Sequence, residues 1–528
     1  MKNPLPTLTS RSGLLLIAAL GASAFTISGN AQANIDLAKT TLDVTARTAD
    51  ERARVAAVTA LTTDFSKAEP FEANGGGATT VRARDNADAF SLVSANASFE
   101  RELLFTLGNG FFTKMWVSSP SSTLVSDGLG PLFNARSCQS CHIKDGRGHP
   151  PENATDNDVS IFLRVSVPVT GTQDMSEIEA YLHSIDPDTQ RSAPHPVYGG
   201  QMQDEGVLGH VAEYDFEVSY EDIEVPLSDG EAASLRAPSY TAGNLGYGPL
   251  SDDTMLSPRV TQQMIGLGLL EAIPVADILA QEDPDDANGD GISGRAQFVW
   301  SDETDQIMLG RFGHKAGKPT VREQSAAAFA GDIDISTPIF PAPSGDCTSA
   351  QTDCIAAPNG TSGTDEGFEI DTEGLDLVTF YARNLAVPAR RNVDDPQVLR
   401  GKEVFYQSGC TSCHTPKYVT ERLVDQPEQS FQLIWPHTDL LLHDMGEGLA
   451  DHRPEGRANG YEWRTPPLWG IGMTETVSGH TYFLHDGRAR SLLEAVLWHG
   501  GEAQAARNSV VDLPATDRAA LITYLESL

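Results

Sequence analysis

Two five-residue stretches restrict this chain more than anything else in it. Cys138-Gln139-Ser140-Cys141-His142 and Cys410-Thr411-Ser412-Cys413-His414 share the pattern C-x-x-C-H, in a chain with 6 cysteines. That pattern is the attachment signature of a c-type haem. Two thiols three apart add to the vinyl groups of the macrocycle, and the adjacent imidazole becomes an axial ligand of the iron. A redox dithiol or half of a zinc site also uses C-x-x-C. A dithiol needs no His after the second Cys, however, and zinc would need the two pairs to converge. A covalently bound haem needs an apolar helix beside it. The expected fold class is therefore mainly α: two cytochrome c-like haem domains in tandem, the first with a small β element and a large insertion.

Covalent haem implies a compartment outside the cytoplasm, and the N-terminus agrees. Lys2 and Arg11 precede an apolar run, Gly13 to Phe25, and Ala31-Gln32-Ala33 is a small-x-small cleavage site. The run is too short to span a membrane comfortably. Residues 1–33 are expected to be a cleaved signal peptide, leaving a soluble periplasmic protein with no membrane span. The formal net charge is -36, and losing Lys2 and Arg11 with no acidic residue takes it to -38. Such a surface repels nucleic acid and anionic lipid and favours cationic partners; plain solubility is the bland alternative.

In chain order, residues 34–96 are polar, weakly periodic and broken by Gly75-Gly76-Gly77, which suggests a loosely structured leader. An N-terminal haem domain with insertions is expected over 97–337. Ser98 to Phe112 is helical in pattern, with Phe99, Leu103 and Leu107 on one face to pack beside the macrocycle. Arg147 reads either as a propionate partner or as a solvated loop arginine. Ile161–Val165 and Glu213–Val218 alternate as strands do, and Met175–Ile185 reads as a short helix. Leu235-Arg236-Ala237-Pro238 and Trp463-Arg464-Thr465-Pro466 each follow a C-x-x-C-H and suggest a duplicated domain. Asp286-Ala287-Asn288-Gly289-Asp290-Gly291-Ile292 offers side-chain oxygens at Asp286, Asn288 and Asp290 and the Ile292 carbonyl to Ca²⁺. Gln297 stands where a full EF-hand loop has Glu, and a tight Asx turn is the alternative. Residues 338–368 form a linker in which Cys347 and Cys354 are expected to pair in the oxidising compartment. A C-terminal cytochrome c domain follows over 369–528. Within it Ser491 and Glu494 open a helix that puts Leu492, Val496 and His499 on one face, with His499 a candidate ligand of the second iron.

These residues resemble a known family. Gly128-Leu129-Gly130-Pro131-Leu132-Phe133-Asn134-Ala135, Asp290-Gly291-Ile292-Ser293-Gly294-Arg295, Leu385-Ala386-Val387-Pro388-Ala389-Arg390-Arg391, Thr438 to Gly446, and Leu484-His485-Asp486-Gly487-Arg488-Ala489-Arg490 are similar to phrases of the di-haem oxidoreductases sometimes labelled "thiol oxidoreductase". Those belong to the bacterial di-haem cytochrome c peroxidase superfamily. The resemblance covers nearly all the chain after the signal and is specific for the family, not for a substrate.

The resemblance implies site residues by position. In the peroxidases an H-D/N-G phrase precedes, by fourteen residues, the sixth ligand of the electron-transfer haem, usually Met. Here His485-Asp486-Gly487 is followed fourteen on by His499, which makes that haem bis-histidine; Met445 is the runner-up. Losing Met lowers the potential. An inter-haem Trp, a Gln ten later and a catalytic Glu ten beyond land on His314, Gln324 and Asp334, with Asp332 the nearby alternative acid. His314 departs from the family's Trp and reads instead as a propionate partner or a ligand of the first iron. His149 is a further candidate for that iron, at a spacing that does not match. The resemblance implies an enzyme that reduces hydrogen peroxide, or activates oxygen, at the first haem, and takes electrons through the second from a periplasmic redox partner. The competing expectation is a non-catalytic di-haem electron carrier or redox sensor, linked to periplasmic metal uptake.

Overall fold

The computed structural model describes residues 40–152, 160–228 and 230–528. The expected signal peptide, 1–33, lies outside the described residues. The helices used below are α1 (Ala49–Thr59), α2 (Phe99–Phe112), α3 (Glu177–Ile185), α4 (Val321–Asp332), α5 (Thr372–Asn384), α6 (Pro396–Gln407), α7 (Leu492–Leu497) and α8 (Ala515–Ser527). The strands are β1 (Ile161–Val169), β2 (Arg191–Ala193), β3 (Asp215–Pro226), β4 (Ala232–Gly243) and β5 (Met255–Val260).

Two helix crossings organise the molecule, and they are copies of one another. Where α2 meets α5, a Cβ on Gly108 would stand 2.1 Å from the Leu377 carbonyl oxygen and 2.8 Å from Tyr381 Cβ. Where α6 meets α8, a Cβ on Gly401 would stand 1.9 Å from the Ala520 carbonyl oxygen and 2.7 Å from Tyr524 Cβ. Only glycine lets two backbones come so close. Four residues after each glycine a Phe reaches the motif histidine: Phe112 lies 6.0 Å from His142 and Phe405 lies 6.3 Å from His414, centroid to centroid. The duplication is thus carried by Gly, Phe and Tyr on the helix pairs. The phrases at 235–238 and 463–466 do not correspond: the first lies on β4, and the second begins on strand Glu462–Arg464, paired with Leu442–Asp444.

The same crossing corrects the expected face of α2. Phe105, Gly108 and Phe112 are buried, whereas Phe99, Leu103 and Leu107 are 79%, 56% and 49% exposed. A glycine that seats a helix against its neighbour outweighs the apolar stripe, which counts side chains but not approach distance.

The fold class is also corrected. The protein is not mainly α: it is 31% helical and 18% strand. The described strands form eight small sheets, seven of two strands and one of three, in which β1 lies between β5 and β2. The insertions between the helix pairs are extended segments that wall the interior, so strand content accumulates there. The largest is the antiparallel ribbon β3–β4, paired from Asp215↔Gly243 to Pro226↔Ala232. It reaches from the first half of the chain into the second: Val225, Leu227 and Leu235 share a core with Phe405, Leu492, Leu497 and Tyr524.

Residues 40–96 hold little regular structure beyond α1 and yet are tied down. Glu69 and Glu72 pair with the buried Lys402, Glu69 also with Lys417, and Glu72 with Arg390. Cys347 and Cys354 are disulfide-bonded. Among the described residues no helix is long and apolar enough to cross a membrane.

Candidate haem site

One cavity of about 700 Å³ runs along both C-x-x-C-H segments, lined by Cys138, Cys141 and His142 and by Cys410, Cys413 and His414. Ser137 caps the single turn Cys138–Cys141, accepting from the Ser140 N–H, and the His142 N–H returns to the Cys138 carbonyl. Both motif histidines are held alike. His142 Nδ1 faces the Gln262 carbonyl at 2.8 Å, and His414 Nδ1 faces the His437 carbonyl at 2.9 Å. A ring nitrogen opposite a carbonyl must carry the hydrogen, which leaves Nε2 with a free lone pair. Burial pushes both imidazoles down to about 4, so they stay neutral and ready to ligate. The thiols move the other way: burial raises Cys138 and Cys410 to about 12. A redox dithiol needs a depressed thiol pKa, so these surroundings argue against that reading.

On the second side, His499 lines the cavity at the end of α7, with Nδ1 donating to the Ala495 carbonyl at 2.7 Å. Its Nε2 is therefore also bare, and it stands close enough to His414 to depress that residue's pKa. Met445 lines the same cavity.

On the first side, α4 supplies Gln324, Ser325, Ala328 and Asp332 to the wall. Asp332 Oδ1 accepts from Gln201 Nε2 at 2.8 Å, and Gln201 Nε2 also donates to Asn134 Oδ1 at 2.7 Å. Burial raises the Asp332 carboxyl, the Gln201 bond offsetting part of the shift. Asp334 is absent from the lining. The backbone turns left-handed at Asp334, φ 61°. Its side chain packs against Gly130 and Gly345 and near the sulfurs of Cys347 and Cys354. Burial pushes that carboxyl well up. Of the two candidate acids, the structure brings only Asp332 to the cavity. His314 lines the cavity too, but its Nε2 is committed to the Val260 carbonyl at 2.8 Å. His149 does not line it; its ring packs on His480 at 4.9 Å.

Asp286, Asn288 and Asp290 turn their oxygens onto the backbone N–H groups of Gly291, Asp290 and Ile292. Asn288 and Asp290 thereby form Asx turns, and Asp286 closes the loop from five residues back. Among the described residues the two clusters of three His, Cys, Asp or Glu ligand atoms lie elsewhere, at Asp334–Cys347–Cys354 and at Cys413–Asp439–His443.

The wall chemistry tests the fit of haem. In a chain of net charge -36 the cavity is lined by Arg147, Arg164, Arg311, Arg453 and Arg464. Burial lowers Arg147, Arg311 and Arg464 to about 10, and none of the three has an ion pair among the described residues; Arg453 is lowered likewise although it pairs with Glu455 at 2.9 Å. The Nε atoms of Arg147, Arg164 and Arg453 are buried without a partner. Buried cations need paired anions, and each haem brings two propionate carboxylates. The residues fit two haems. Sequence reasoning missed most of these cations, because scattered arginines carry no spacing signal. It also missed Trp463 as a wall residue. Its ring stacks on His485 at 3.8 Å, its Nε1 donates to the Leu449 carbonyl, and the Lys315 ammonium lies 4.6 Å above it.

Two ligand-ready histidines beside paired cysteines, in one cation-lined cavity, define a protein built around two haems. The chain belongs to the di-haem oxidoreductase family: the model described as "Di-haem oxidoreductase, putative peroxidase" matches residues 69–528. No curated protein matches the sequence. Among solved structures, a chain titled "Kuenenia stuttgartiensis Hydrazine Synthase Pressurized with 20 bar Xenon" matches at 19% identity, over 34% of this chain and 63% of that one, with a TM-score of 0.21. The match thus spans less than two thirds of that chain's length, and likeness at that score carries no argument.

Proposed function

We propose that the protein is a periplasmic peroxidase whose two haems are bound covalently. Cys138, Cys141 and His142 would hold the first, and Cys410, Cys413 and His414 the second, with His499 as the second haem's other axial ligand. The reading rests on one asymmetry of the cavity. Beside His414 stands a second histidine with a bare Nε2, while the wall beside His142 offers an amide and a carboxylate, Gln324 and Asp332. When bound, the two haems would supply the redox chemistry for peroxide reduction, with electrons drawn from a cationic donor protein.

The chain's own residues then divide the remaining work. Asp332 takes a proton from one peroxide oxygen and returns it to the other, which cleavage of the bond into water requires. Gln201 fixes the carboxylate from behind and leaves its second oxygen for the cavity. Gln324 orients the substrate by hydrogen bonding. The buried arginines hold the propionates, and burial excludes competing water. Cleavage after Ala33 would deliver the chain to the periplasm.

Spectra of the oxidised protein test the proposal. A high-spin ferric fraction that binds cyanide and is consumed by peroxide is the expected result. Two low-spin haems with no peroxide reactivity would instead make it an electron carrier or sensor.

A further inference from the structure

We infer that Tyr381 is a redox-active residue, surrendering an electron to the first haem pocket and its phenolic proton to Asp145. The inference rests on the proposed peroxide reaction and adds a site to it.

Tyr381 is buried on α5, and Val378 and Ala382 of the same helix line the cavity. Its ring lies 5.0 Å from Phe112, whose ring lies 6.0 Å from His142, so three aromatic rings in contact lead from the ligand to the phenol. The phenol donates to Asp145 Oδ1 at 2.8 Å, and Ser91 Oγ donates to Asp145 Oδ2. Each oxygen of Asp145 thus faces a donor, which is the pattern of an acceptor-only carboxylate. Packing alone does not explain this. Gly108 seats the Tyr381 backbone and Cβ, and a phenylalanine would fill the same space. The hydroxyl adds a second buried polar group, the fully buried Asp145. It stands in left-handed backbone at φ 62°, directly after Lys144 at φ 56°. Consecutive non-glycine residues in that region are strained, and such strain collects at functional positions. The counterpart Tyr524 bonds an imidazole instead, His437 Nε2 at 3.0 Å, so the copies share their packing but not their proton acceptor.

The balance closes. Hydrogen peroxide takes two electrons and two protons to give two waters. When the outside donor lags, Tyr381 supplies one of those electrons, the bound haem would supply the other, and both protons come from solvent water. The Tyr381 O–H bond breaks, the proton goes to the Asp145 carboxylate, and a neutral phenoxyl remains. The next donor electron and the proton on Asp145 restore the phenol. The pair thereby spares the pocket from oxidising its own wall.

The experiment is freeze-quench electron paramagnetic resonance of the holoprotein mixed with hydrogen peroxide without donor, using unlabelled and ring-deuterated tyrosine. The expected result is a radical signal that narrows on deuteration, is lost in Tyr381→Phe and Asp145→Asn, and persists in Tyr524→Phe. Tyr381→Phe should keep the wild-type haem spectrum and donor-supported peroxide consumption. Peroxide consumption with no tyrosyl signal, or a signal that survives Tyr381→Phe or disappears in Tyr524→Phe, overturns the assignment while leaving the peroxidase reading intact. Absence of peroxide consumption in the wild type overturns both.

Discussion

Replacing Gly108 and Gly110 by alanine, one at a time, should shift stability in opposite directions although the two lie on the same helix. In a helix interior alanine is favoured over glycine by about 1 kcal/mol, so propensity alone makes both changes stabilising. A Cβ at Gly110 meets nothing within 4 Å, so that gain is kept. At Gly108 the Cβ would stand 2.1 Å from the Leu377 carbonyl oxygen, against the 3.4–4 Å of ordinary contact. The obstacle is backbone on a packed helix and cannot rotate away. Overpacking of this kind costs about 1–3 kcal/mol, and the shortfall of more than an ångström puts Gly108→Ala at the upper end. Net, Gly108→Ala should lose about 1–2 kcal/mol and Gly110→Ala gain about 1. Urea unfolding of the holoprotein, followed by far-UV circular dichroism and by haem absorbance, reads the difference. If Gly108→Ala proves as stable as Gly110→Ala, the close crossing of α2 and α5 is wrong, and with it the packing of Phe112 towards His142.

Other outcomes follow from the cavity. Asp332→Asn should lower peroxide turnover by about 10²–10⁴-fold, while Asp334→Asn should leave it near wild type; the reverse order would restore Asp334 as the acid. Because the reaction needs the Asp332 carboxylate and burial raises its pKa, turnover should fall on acidification at a pH above the ordinary aspartate value of about 3.9. Asp332→Asn should remove that limb of the profile. His499→Ala should convert one low-spin haem to high spin, whereas Met445→Leu should not; the opposite result would make Met445 the ligand. Burial lowers Lys315 to about 8 from the ordinary lysine value of 10.5, despite its bond to Asp451. Between those values the unfolded chain holds more protons than the folded one, so this group makes the fold more stable as pH rises. Lys315→Met should flatten that segment of the stability–pH curve relative to wild type.

Much of the candidate site was legible in the sequence because the proposed chemistry is local. A covalent haem demands two thiols and an imidazole within five residues, and a helix carries Leu492, Val496 and His499 to one face by its own period. The α2 helix was legible for the same reason, but not its buried face, which a single glycine decides through a helix hundreds of residues away. The mainly α expectation failed because the ribbon β3–β4 and the other small sheets arise from long insertions whose pairing partners are set by the completed fold. Asp332 and Asp334 differ by two residues in sequence, and the left-handed turn at Asp334 sends one to the cavity and the other towards the disulfide.

The sequence by itself determined the two C-x-x-C-H motifs, the candidate ligand His499 and the net negative charge. Each of these depends on residue identity within a turn or two of chain. Only the tertiary structure decided which nitrogen of each histidine is bare, which acid faces the cavity, and that arginines from distant segments converge there in an acidic protein. It also decided that Tyr381 meets Asp145. Those features depend on carbonyls, cations and carboxylates brought together across long sequence separations, and their energies exist only once water has been excluded from the space between them.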